Sequence, residues 1–241
     1  MSTPTVGAGS VLPDAHEHPV EYRRVYVWEL PVRVYHWINA VCLVGLCVTG
    51  YLIGAPIGGT YAAEAYQQYW FAWVRFIHFT CAYVYVFNFA ARIYWGFVGN
   101  QYARWNAFFP LKRSQRQEIV DVIKADVLET KLHGPISTGH NALAGLIYFF
   151  TFLAFVAQTI TGFALYSSMS NSALARAFVW IVPLMGGEFR VRYWHHLLLW
   201  FFVVFIIVHV YLSFYHDYIE GRGTISSIVG GWKFDREKRK Q

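Results

Sequence analysis

The chain has 241 residues, of which 56% are hydrophobic, 20% aromatic and only 14% charged. Soluble domains carry about 25% charged residues, so this balance excludes intrinsic disorder and argues against an ordinary soluble domain. The net charge of +6 comes from Lys and Arg at the chain ends and in one central loop, flanking apolar runs; that is a membrane-protein pattern, with no nucleic-acid motif beside it.

Residues 1–21 contain no apolar run and read as a mobile tail, not a cleavable signal peptide. His16 and His18 within it read as solvated. Four apolar windows follow, near Tyr35 to Ile57, Tyr69 to Val98, Ala142 to Tyr166 and Tyr193 to Tyr215. Each reaches the ~20 residues that a helix needs to cross the hydrocarbon core. In lipid every backbone polar group must be satisfied within its own segment, so each window is predicted to be a helix. Between the second and third windows, Ser114 precedes a stretch with apolar residues at helical spacing, which predicts a surface helix with a Ser cap. The shorter piece Ala173 to Met185 contains Arg176 and Pro183 and reads as interfacial.

The predicted fold is an all-α membrane protein: a four-helix transmembrane bundle over 22–232 with a basic tail over 233–241. Arg23, Arg24 and Arg33, seven cations from Arg92 to Lys131 and six from Arg222 to Lys240 fall on one side of it. Arg176, Arg190 and Arg192 fall on the other, and Arg75 lies within the second span. The positive-inside rule then predicts cytoplasmic N- and C-termini and a cytoplasmic surface helix between helices two and three. Cys42, Cys47 and Cys81 form no CxxC or CxxCH, which excludes a zinc ribbon, a thioredoxin motif and covalent c-type haem.

The ionisable groups inside the spans are mostly histidines, and such groups are costly and usually functional. His36 lies at the inner end of the first helix, His78 in the outer half of the second, and His195 and His209 at two depths of the fourth. The 14 residues between His195 and His209 return to within about 40° of one face and rise about 21 Å. One helix can thus offer an imidazole to each of two stacked sites, paired with His36 and with His78. His196 is predicted to face elsewhere, and His216, next to Asp217 at the water interface, is the weaker rival. Paired histidines on facing helices suit bis-imidazole haem b, whereas zinc or copper usually takes further ligands. Gly45, Gly50 and Gly162 read either as room for a haem or as helix-packing residues. Arg33 and Arg75 read either as partners of haem propionates or as headgroup anchors.

Several segments resemble the b-type cytochrome subunit of membrane-bound nickel–iron hydrogenases. They are Pro31-Val-Arg-Val-Tyr-His-Trp37, Arg92-Ile-Tyr-Trp-Gly-Phe-Val-Gly-Asn100, Gly139-His-Asn141, Thr161-Gly-Phe-Ala-Leu-Tyr166, Trp194-His-His196 with His209-Val-Tyr211, and Ile225-Ser-Ser-Ile-Val-Gly-Gly-Trp232. The likeness covers about residues 22–232, and the order and spacing of the pieces carry it. It implies two b haems, held by His36 with His209 and by His78 with His195, and a quinone site around His140 and Asn141. The family pattern often has a Pro and a Gln after that pair, where Ala142 and Gly145 stand here.

The implied role is an inner-membrane anchor that moves electrons to the quinone pool from a periplasmic hydrogenase. Its implied partners are an iron–sulfur small subunit and a nickel–iron large subunit, besides quinone and lipid. The gamma subunit of respiratory formate dehydrogenase is a more distant likeness, and a haem-free transporter or scaffold is the alternative from another class. Oligomeric state is left open.

Overall fold

The computed structural model describes residues 22–56, 69–107, 113–128 and 142–236. A strand β1 (Tyr22–Tyr26) leads into α1 (Leu30–Gly54), followed by α2 (Trp70–Val98), a 3-10 turn (Trp105–Ala107) and α3 (Arg113–Leu128). Then come α4 (Ala142–Ser167), two single-turn helices α5 (Ala173–Arg176) and α6 (Ile181–Leu184), α7 (Glu188–Glu220), α8 (Thr224–Gly230) and β2 (Trp232–Arg236).

Among the described residues four helices, α1, α2, α4 and α7, are long and apolar enough to cross a membrane. α1 starts five residues before its apolar window because Pro31 sits in the first turn, where its missing N–H costs nothing. α7 runs 33 residues, about 50 Å, well beyond its window. Its polar ends continue the helix until Gly221, at φ 61°, closes it in the left-handed conformation.

α1 packs along α2 and α7, and α7 along α4. The ring is closed between α2 and α4 by large aromatic side chains. Phe89 meets Phe152 at 4.8 Å between ring centres, and Tyr85 meets Phe155 at 4.9 Å. Phe155 in turn stacks on the buried Phe202 of α7 at 4.6 Å. An aromatic layer therefore crosses the middle of the bundle.

The bundle is not wholly α. β1 and β2 pair antiparallel, with Tyr22 opposite Arg236 and Tyr26 opposite Trp232. The predicted boundary at 232/233 thus falls inside a strand, and Lys233 is buried rather than part of a solvated tail. Below the sheet, Trp28 Nε1 donates to Ser227 Oγ at 3.1 Å. Glu29 accepts from Trp95 Nε1 at 3.0 Å and from the Asn100 N–H at 2.9 Å. Asn100 also donates to the Val27 carbonyl at 2.9 Å and accepts from the N–H groups of Tyr102 and Ala103. Trp95 and Asn100 therefore latch the link between β1 and α1 to the end of α2. Arg92 itself, grouped with the central loop above, lies inside α2. It is buried between the rings of Tyr35 and Trp105, which face its cation from 5.4 and 5.3 Å.

Candidate functional site

Two histidine levels lie on either side of the aromatic layer. Near the sheet, α1 presents His36 and α7 presents His209, their ring centres 6.4 Å apart and their planes at 50°. Two imidazoles sharing one metal through bonds of about 2 Å have centres roughly 6 Å apart, so this spacing fits a shared iron. His36 Nδ1 is buried without a hydrogen-bond partner among the described residues. Phe205, one turn before His209, stacks on its ring at 5.5 Å, and the Tyr148 hydroxyl lies 3.4 Å from His209 Nδ1.

At the far level, a cavity of about 720 Å³ opens between α1, α2, α4 and α7, and both His78 and His195 line it. Its floor includes Tyr85, Phe155 and Phe202 of the aromatic layer. Glycines border the imidazoles. A Cβ on Gly162 would stand 3.1 Å from His195 Cε1, and one on Gly50 would stand 3.4 Å from His78 Cε1. Gly45 instead lies against the Cys81 sulfur, so it serves packing between α1 and α2. Each far histidine is held through Nδ1 by a threonine on the neighbouring helix: Thr49 to His78 and Thr161 to His195, both at 2.9 Å. The sequence reading passed over these threonines, because hydroxyls in apolar helices are common and usually bond only to their own backbone.

His196 does not face elsewhere. It lines the same cavity, and a Cβ on Gly54 of α1 would collide with its ring. Neighbouring residues diverge by about 100° on a helix, and the cavity is wide enough for His195 to border it beside α4 while His196 borders it beside α1. His216, by contrast, pairs with Glu220 at 3.1 Å.

Arg75 lines the far cavity and reaches the Met169 sulfur at 2.9 Å. Arg33 donates through Nη1 to the Val229 carbonyl, tying α1 to α8, while its buried Nε has no partner among the described residues. His140 and Asn141 lie outside the described residues. Among the described residues no three or more His, Cys, Asp and Glu side chains are placed to hold one metal ion. The donors on offer are thus imidazole pairs within an aromatic bundle, the donor set of a bis-histidine haem.

The family model for prokaryotic cytochrome b561 matches residues 27–231. A protein of Azotobacter chroococcum mcd 1, named "Probable Ni/Fe-hydrogenase B-type cytochrome subunit", is 38% identical over 230 residues, 94% of this chain and 95% of its own length. One of Escherichia coli strain K12, "Probable Ni/Fe-hydrogenase 1 B-type cytochrome subunit", is 35% identical over 213 residues, 86% and 90% of the two lengths. One of Rhizobium leguminosarum bv. viciae, named as the first, is 33% identical over 231 residues, 93% and 95%. A likeness sustained over nearly the whole of both chains shows that this multi-pass membrane protein belongs to the prokaryotic cytochrome b561 family, whose membership implies haem b.

Proposed function

We propose that the chain is the membrane-anchoring di-haem cytochrome b that carries electrons from a periplasmic nickel–iron hydrogenase to the quinone pool of the cytoplasmic membrane. The observation that carries this reading is the repeated use of α7. His209 faces His36 on one side of the aromatic layer, and His195 borders the far cavity with His78 on the other. The 14-residue step puts these two imidazoles about 21 Å apart along the helix. Haem b supplies a one-electron couple at each level when bound. The chain's own part is to hold, orient and space the two groups, with Arg75 at the far cavity as a candidate partner for a propionate.

The distribution of cations supports a cytoplasmic sheet end, which makes His36 and His209 the inner pair and His78 and His195 the outer pair. Quinone would then be reduced near the inner pair, around His140 and Asn141, and inward electron flow would build membrane potential. The relatives' names favour hydrogenase over formate dehydrogenase as the source of electrons. The test is a reduced-minus-oxidised spectrum with a pyridine haemochrome count on the purified complex, given hydrogen and then a quinone analogue. Close to two b haems per chain, reduced by hydrogen and reoxidised by quinone, is the expected result. A complex without haem overturns the reading.

A further inference from the structure

We propose that Thr49 and Thr161 are a matched pair of positioning residues, whose hydroxyls fix the ring tautomer of His78 and His195 so that Nε2 is offered to the outer haem. The inference rests on the di-haem reading above.

The geometry leaves each hydroxyl one role. A threonine hydroxyl has a single hydrogen. Thr49 donates it to the Gly45 carbonyl at 2.6 Å, and Thr161 donates its own to the Ala157 carbonyl at 2.8 Å. With the hydrogen committed one turn back along its own helix, the oxygen can only accept from the imidazole 2.9 Å away. The partner nitrogen is Nδ1 in both rings, so Nδ1 carries the proton and Nε2 keeps its lone pair. Gln158 supports the same assignment for His195. Its amide nitrogen donates to the His195 carbonyl at 3.2 Å and lies 3.3 Å from His195 Nε2, a contact that suits an unprotonated Nε2 and that must give way when the same lone pair binds iron.

The device is symmetric and confined to one level. Thr49 reaches from α1 to α2, and Thr161 from α4 to α7. Both threonines are buried, so water does not compete for the bond. Among the described residues the inner pair has no matching threonine: His36 Nδ1 has no partner there, and His209 Nδ1 meets the Tyr148 hydroxyl at 3.4 Å. A hydrogen bond from Nδ1–H to a fixed oxygen orients the ring and raises its basicity towards a metal. The outer imidazoles are therefore the stronger donors for this protein's oxidised iron, and the two threonines lower the midpoint potential of one haem and not of the other.

The experiment compares Thr49→Val, Thr161→Val, Thr49→Ser and Thr161→Ser in the intact complex, by redox titration of the b haems and by haem transfer to an apoprotein acceptor. Each valine keeps the shape and removes the hydroxyl. Each valine variant is expected to shift one and the same haem to a higher potential, leave the other unchanged, and weaken haem retention at that site by about 10–100-fold. Serine is expected to restore both readouts. Wild-type titrations and retention in both valine variants overturn the proposal, and so does a loss of haem that serine fails to reverse. The di-haem reading fails separately, if His78→Ala and His195→Ala keep the full haem complement, and the proposal then falls with it.

Discussion

Phe202 stacks on Phe155 at 4.6 Å with ring planes 12° apart, and it stands on α7 seven residues from His195 and seven from His209. Seven residues are close to two turns, so all three side chains share a face. The ring separates the far cavity from the near histidine pair. Phe202→Ala is expected to cost about 3–5 kcal/mol, because a buried ring is replaced by a void between two helices. Thermal loss of the Soret band in detergent would measure it. A melting temperature within a degree of wild type would show that the layer carries no packing energy.

Gly162 leaves only enough room for the His195 ring. A methyl there meets Cε1 at 3.1 Å, so the imidazole must give by a few tenths of an ångström, which strains its 2.9 Å bond to Thr161. Gly162→Ala is therefore expected to lower the haem count from two towards one. Gly54→Ala, which collides with His196 instead, should leave two haems bound. Pyridine haemochrome analysis separates these cases, and the opposite pattern would transfer the ligand role to His196.

Asn100 satisfies three backbone groups of the latch at once. Asn100→Ala is expected to destabilise the fold by about 1–3 kcal/mol, the usual cost of buried polar groups losing partners. The spectrum of the protein that survives should be unaltered. A shifted Soret or α band would contradict the structural role given to this segment.

Lys233 is buried beneath the sheet, and desolvation pulls its amine down to about 8 from an ordinary 10.5. Glu220 and Asp217 oppose that shift, and Arg222 reinforces it. Between about pH 8 and 10.5 the unfolded chain binds more protons here than the folded one, so stability should rise with pH across that window. The slope from one such group is at most about 1.4 kcal/mol per pH unit. Melting curves of wild type and Lys233→Met over this range test it: the variant should lose the slope, and equal slopes would assign it to other groups.

The four spanning helices were legible because apolar length is a local property, and the α7 histidine spacing because helical period is. The sheet was not, since Tyr22 and Arg236 pair across more than 200 residues and neither strand alternates strongly enough to announce itself. His196 was misjudged because angles measured along one helix say nothing about how wide a cavity its neighbours leave. Thr49 and Thr161 were invisible for a related reason, since each gains its meaning from a ring on another helix. Arg92 counts with the cations of one side yet lies within the second apolar window, and what holds it there, the rings of Tyr35 and Trp105, comes from other segments of the chain.

The β1–β2 pair has a consequence for assembly. It joins the start of α1 to the segment that follows α7, and these helices carry His36 and His209. The sheet thus fixes the spacing of α1 and α7 at the end that carries His36 and His209, while Gly54 against His196 and Tyr51 against Trp200 hold the same two helices together at the other end. β1 can pair only once β2 has followed it in the chain, so the sheet closes after all four spanning helices have been made.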